Sequence, residues 1–119
     1  SSGAVTTLAS GYPLQSPRGV ARHALVTALF VANTGNSVVR VPLDPTTGAF
    51  VPPMATLTGL TGDASAEYAG VGLFADAAST TLVLSDRHQA HSQIAAFSVS
   101  GTACTALFTV GGQGYADGA

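Results

Sequence analysis

The stretch that decides the fold runs from position 29 to position 41 and reads Leu29-Phe30-Val31-Ala32-Asn33-Thr34-Gly35-Asn36-Ser37-Val38-Val39-Arg40-Val41. Two short apolar runs, rich in Val, Leu and Phe, flank a polar segment, which is typical of β-strands joined by a turn. Asn tolerates the left-handed backbone region and Gly enters it freely, so residues 33–36 predict a tight reversal. The stretch therefore predicts two adjacent antiparallel strands.

The same order of features occurs again later in the chain. Leu82 to Asp86 forms a second apolar run that ends on a short polar side chain, and Ile94 to Phe97 forms the strand after it. Both runs are continuous rather than alternating, which predicts strands that are buried on both faces.

Other segments take part in this repetition. A glycine-containing strand precedes each apolar run, at Pro17 to Ala21 and at Ala69 to Leu73, and β-prone segments ending in glycine occur at Thr7 to Gly11, Thr56 to Gly59 and Phe108 to Gly112. The order recurs at roughly 50 residues, within the range for propeller blades.

At these residues the chain resembles the NHL-repeat family. Pro17-Arg18-Gly19-Val20-Ala21, followed by the stretch from Leu29 to Val41, is similar to an NHL repeat, and Gly111 to Ala119 is similar to the linker before a next repeat. The second copy keeps Gly70-Val71 and the two later strands. Two departures occur: Asn33 stands where the family has an acid, and the second turn, Arg87 to Ser92, is longer and lacks Thr-Gly-Asn.

The resemblance implies an all-β fold, a partial β-propeller built from four-stranded antiparallel NHL-like blades. Residues 1–55 are predicted as a first NHL-like blade with a preceding outer strand, residues 56–107 as a second, degenerate blade, and residues 108–119 as an outer strand and linker to a further blade. Propellers close with roughly four to eight blades. We therefore expect a segment of a larger propeller, completed either by the same polypeptide or by further copies.

Composition narrows the range of partners. Only 8% of the 119 residues are charged, the formal net charge is −2, and all four basic residues are arginines. No basic surface is available to neutralise a phosphate backbone or an anionic membrane, so nucleic acid is excluded as the predicted partner. The sequence contains no run of roughly 18 apolar residues, so it predicts no membrane-spanning helix.

Candidate binding residues lie in the loops predicted at the rim of the blades and on one strand: Asn33, Asn36, Arg40, Asp86, Arg87, His88 and His91. His88 and His91 are weak candidates for metal ligands, because zinc needs roughly four ligands and only two are supplied here. We predict no catalytic residue and no cofactor. Cys104 is the only cysteine, either a small buried hydrophobe or half of a disulfide to another segment.

These features predict a non-catalytic module that binds protein or glycan, or has a structural role, in an extracellular or cell-surface assembly. Its partners would be other propeller blades and a protein or glycan ligand. Two alternatives stay open. The resemblance implies a metal-dependent propeller enzyme, an amidating lyase or lactonase-like hydrolase, and two blades per chain would also suit a self-assembling lectin.

Overall fold

The computed structural model describes residues 7–11, 13–33, 37–60, 66–88 and 93–111. Within these ranges the chain forms eight β-strands and no helix. The strands make two four-stranded sheets in which every pairing is antiparallel. The prediction of an all-β chain with four-stranded antiparallel sheets is confirmed. No helix in the described part has the length and apolar character needed to cross a membrane.

The first sheet contains β1 (Gly19–His23), β2 (Val26–Ala32), β3 (Val38–Pro42) and β4 (Ala55–Thr56), in that order across the sheet. Each strand pairs with the next one in the chain, so short turns suffice as connections. A turn follows β3. The Asp44 carboxylate accepts backbone hydrogen bonds from Thr46 and Thr47, and Gly48 has a positive φ of 75°.

The second sheet contains β5 (Tyr68–Ala75), β6 (Thr80–Asp86), β7 (Gln93–Ser100) and β8 (Ala103–Gly111), again in chain order. The β5–β6 turn is closed by Asp76, whose carboxylate accepts from the amides of Ala78 and Ser79. The β7–β8 turn contains Gly101 at a φ of 62°, a conformation that favours glycine.

Residues aligned by sequence occupy corresponding positions in the two sheets. Val20 of β1 pairs with Val31 of β2. In the second sheet, Val71 of β5 pairs with Leu84 of β6. The later strands correspond in the same way, with Phe30–Arg40 matching Val83–Ala96 and Val39–Thr56 matching Ala95–Thr109. Directly paired residues point to the same face of a sheet, so corresponding residues face the same way in both sheets.

The two sheets pack face to face over a shared apolar core. Phe30, Leu82 and Leu84 are among its fully buried members. At one edge of this interface β1 and β2 contact β5. A Cβ atom on Gly19 would overlap the carbonyl oxygen of Ala69, so glycine is what allows the two backbones to meet there.

At the opposite edge of the interface, a short segment that follows β4 lies between the sheets. Leu57 and Leu60 of this segment are buried in the shared core with Cys104. Thr58 exchanges backbone hydrogen bonds with the start of β8, donating to Thr102 and accepting from Cys104, each at 2.8 Å. The sheets are therefore joined by backbone contacts at both edges.

Burial of the two long apolar runs differs. The run in β2 is buried on both faces as predicted, because residues before β1 and after β3 cover Val31, Val39 and Val41. In β6, Leu82 and Leu84 are buried but Val83 is only partly so. The prediction of two-sided burial is wrong for β6, since no described segment packs on the outward face of the second sheet.

Two segments predicted as outer strands of blades have other positions in the structure. Thr7 to Gly11 belongs to neither sheet, and its Ala9 packs against the outward face of the first sheet. Phe108 to Gly111 forms the second half of β8 and pairs with β7, so it completes the second sheet. Residues 112–119 lie outside the described ranges.

Candidate functional site

The predicted site residues gather mainly where β2 and β6 end. Gly19 pairs with Ala32 at the end of β2, and Tyr68 pairs with Asp86 at the end of β6. Because Gly19 is in contact with Ala69, the ends of β2 and β6 lie at the same end of the molecule. We call this end the rim and define it by Asn33, Glu67, Asp86, Arg87 and His88.

Asn33 is held by the segment that precedes β1. Its side chain is buried, with Oδ1 accepting from the Gln15 amide and Nδ2 donating to the Pro13 carbonyl, each at 2.7 Å. The guanidinium of Arg18 donates to the Asn33 carbonyl at 3.0 Å. Both polar ends of the side chain are thus used inside the protein, which indicates an anchoring role for Asn33.

Asp86 occupies the corresponding position after β6. It is as buried as Asn33, and Oδ1 accepts from the amides of Glu67 at 3.0 Å and His88 at 3.1 Å. The amide of Arg87 also donates to the Glu67 carbonyl. Asp86 therefore fastens the segment before β5 to the end of β6.

The presence of Asn at position 33 and of Asp at the corresponding position 86 has a structural explanation. The position needs an oxygen that accepts a backbone amide from the preceding segment, and Asn and Asp both supply one. At Asn33 the second contact is the carbonyl of Pro13, which requires a donor. At Asp86 the second contact is the His88 amide, which requires an acceptor. Each side chain matches its own partners.

The exposed part of the rim is formed by an ion pair. Arg87 Nε lies 3.5 Å from Glu67 Oε1, and both side chains are well exposed. Such a pair contributes little to stability, typically below about 1 kcal/mol, so both groups are available to a partner at low cost. His88 beside them is half-buried.

The structure does not bring Arg40 to the rim. It lines a groove of about 230 Å³ between the sheets together with Thr27 at the start of β2 and Thr80 at the start of β6. The starts of these strands lie at the opposite end from Asn33 and Asp86. The guanidinium makes no hydrogen bond or ion pair with any residue that the structure describes.

The predicted residues Asn36 and His91 lie outside the described ranges. Among the residues that are described, no group of three or more His, Cys, Asp or Glu side chains is placed to hold a metal ion. His88 is therefore not joined by further ligands from this part of the chain.

Cys104 is a buried free thiol in the core between the sheets. Burial raises the pKa of the thiol to about 11, so the reactive thiolate is scarce at neutral pH. The position suits a small hydrophobe and not a nucleophile.

Two exposed carboxyl groups have a pKa below the ordinary value because backbone amides donate to them. For Asp44 the amide of Thr47 contributes most, and for Asp76 the amide of Ala78 does. These carboxylates close turns in the β3–β4 and β5–β6 connections.

Reasoning from sequence missed the anchors of the rim. Pro13, Gln15 and Glu67 contribute through backbone atoms, and a backbone contact leaves no signature in the residue type. Glu67 was recognisable only as one of six acidic residues in a chain with few charges.

The chain matches no protein-family model, and comparison with curated proteins and with solved structures finds no match either.

Proposed function

We propose that the chain is a non-catalytic binding or structural module, formed by two adjoining blades of an NHL-type β-propeller in an extracellular or cell-surface assembly. The observation that carries the proposal is the matching register of the two four-stranded sheets, with the first strands β1 and β5 in contact. Blades of a propeller stack in this manner, with consecutive strands running outward.

The rim is the part of the module that contacts a protein or glycan. Asn33 and Asp86 hold the ends of β2 and β6 rigidly, and the loops that follow begin from these anchors. Rigid strands that present polar loops are a common arrangement for binding sites. The exposed Arg87–Glu67 pair places both charges at the end of β6, in a chain where only 8% of residues are charged.

The test uses the intact chain against two probes, a panel of printed oligosaccharides and a set of purified extracellular protein domains. We expect a probe whose binding weakens at least about tenfold in Arg87→Ala, because the guanidinium is a strong donor at the rim. Thr46→Ala is the matched control, since Thr46 is also exposed but lies in the turn after β3. A ligand whose affinity is the same in both variants would contradict the assignment of the rim.

The same preparation tests the enzymatic alternative. Stoichiometric zinc in the purified chain that is lost in His88→Ala would favour a metal-dependent enzyme over the non-catalytic binding module. A chain that binds its ligand without metal is the expected result.

A further inference from the structure

Each sheet has an outward face that the described residues leave partly uncovered. On the second sheet this open face carries Phe74, Ile94, Phe108 and Val110, of which Phe74 is 61% and Phe108 57% exposed. No charged side chain lies on the strand positions that point to this face. Apolar surface of this kind marks an interaction site in a soluble protein.

The open face of the first sheet is apolar apart from Arg22, which is exposed and alternates with Val20 along β1. It carries Val20, which is 61% exposed, and a groove of about 280 Å³ whose lining includes Leu8, Leu14, Leu29 and Val41. The segment before β1 forms one wall of this groove. The first sheet therefore presents both an apolar strand surface and a recess.

The matching register shows what kind of surface fits each open face. Val20 corresponds to Val71, and Val71 packs against the core between the sheets. The outward face of the first sheet is thus equivalent to the inner face of the second sheet, the face that covers Phe30 in the internal interface.

The reverse equivalence holds for the second sheet. Val83 corresponds to Phe30, which is fully buried by the second sheet. Gly70 corresponds to Gly19, whose missing Cβ admits the backbone of the neighbouring β5. The open face of the second sheet therefore has the features that receive another sheet.

We propose that the open face of the second sheet docks onto the open face of the first sheet of a second copy of this chain. The new contact would repeat the internal interface of each copy, with Gly70 beside Val20 and Val83 directed toward the groove beside Leu29. Phe108, on the outer strand β8, would face the outer part of the first sheet of the other copy. A second copy is the occupant because it offers the surface equivalent to the one that already covers the first sheet. The contact is heterologous, so it joins different faces of the two molecules.

The interface extends the proposed function and does not depend on what the rim contacts. Loss of ligand binding in Arg87→Ala reports on the rim, whereas the mass of the protein reports on the two open faces. Failure of one proposal is therefore distinguishable from failure of the other.

The experiment measures the native mass of the full 11.8 kDa chain by light scattering over a range of concentrations. Wild type should assemble, whereas Val20→Asp and Phe108→Asp should each be monomeric, because each buries a charge in the contact. Leu25→Asp is the control: Leu25 is 63% exposed but lies in the β1–β2 turn, away from both open faces. It should assemble as wild type does.

Mixing the two monomeric variants gives the sharper result. Val20→Asp keeps the open face of the second sheet and Phe108→Asp keeps that of the first, so together they should form a 1:1 heterodimer at least about tenfold tighter than either variant's self-association. The proposal is overturned by a monomeric wild type, by a mixture that stays monomeric, or by dimers of Val20→Asp alone. Because both substituted residues are more than half exposed, circular dichroism should show folded variants.

Discussion

At the scale of single residues, Asn33 and Asp86 show how one structural task is met by two side chains. Both sit at the end of the second strand of a sheet, both are buried, and both accept an amide from the segment before the sheet. Their second contacts differ, and the choice between amide and carboxylate follows from that difference.

We expect Asn33→Ala to lower the free energy of unfolding by about 1–3 kcal/mol, since it leaves the Gln15 amide and the Pro13 carbonyl without their partner. Urea unfolding followed by circular dichroism measures the change. Gln15→Ala is the control, because only the backbone of Gln15 takes part and its side chain is exposed. Equal losses of unfolding free energy in Asn33→Ala and Gln15→Ala would contradict the anchoring role of Asn33.

The sequence predicted the strands at Leu29 to Ala32 and at Leu82 to Ser85 because their apolar runs and flanking turn residues are local signals. It also identified Asn33 and Asp86, but as candidate binding residues. Their anchoring contacts join positions about 20 residues apart in the chain, and nothing in the residue types indicates that pairing. The sequence groups Arg40 with the candidate binding residues as well, because its distance from the ends of β2 and β6 depends on the strand register, which residue types do not indicate.

At the scale of strands, the contact between β1 and β5 depends on one glycine. Corresponding positions carry Gly19 and Gly70, but their surroundings differ. A Cβ on Gly19 would overlap the rigid backbone of Ala69, whereas one on Gly70 would meet only the hydroxyl of Ser85. The Ser85 side chain can rotate away at the cost of the 2.7 Å hydrogen bond that its Oγ accepts from the Gly70 amide, whereas a paired backbone cannot move.

Gly19→Ala should therefore destabilise the protein by about 1–3 kcal/mol, the usual cost of overpacking, while Gly70→Ala should cost clearly less. Thermal unfolding of both variants checks the difference. If Gly70→Ala were as unstable as Gly19→Ala, the loss at position 19 could not be assigned to the contact between β1 and β5. Both glycines would then be needed for the backbone of the strands that contain them.

At the scale of the whole molecule, the shared core makes the two sheets depend on each other. Cys104 of β8 is buried with Leu57, which follows β4 of the other sheet. Separation of the sheets would expose the thiol, so its reactivity reports on their association.

We expect Cys104 to react with iodoacetamide at pH 7 about a hundred-fold more slowly than a free thiol, because burial raises its pKa from 9.0 to about 11 and the thiolate is the reactive form. Denaturant should restore the ordinary rate. The comparison is Ser100→Cys combined with Cys104→Ser, which puts the thiol at an exposed position in the same hairpin. Similar rates for the two proteins would mean that the sheets separate readily.

The separation between the two sheets differs at the two edges of the internal interface. At the edge of Gly19 backbone touches backbone, whereas at the other edge the side chains of Leu57 and Leu60 stand between the sheets. Such a pair of sheets has the shape of a wedge, narrow at β1 and β5. Copies added through the same contact would each be rotated about the narrow edge, so the assembly would curve back on itself. The number of copies in it would then be set by the angle of the wedge and not by the protein concentration.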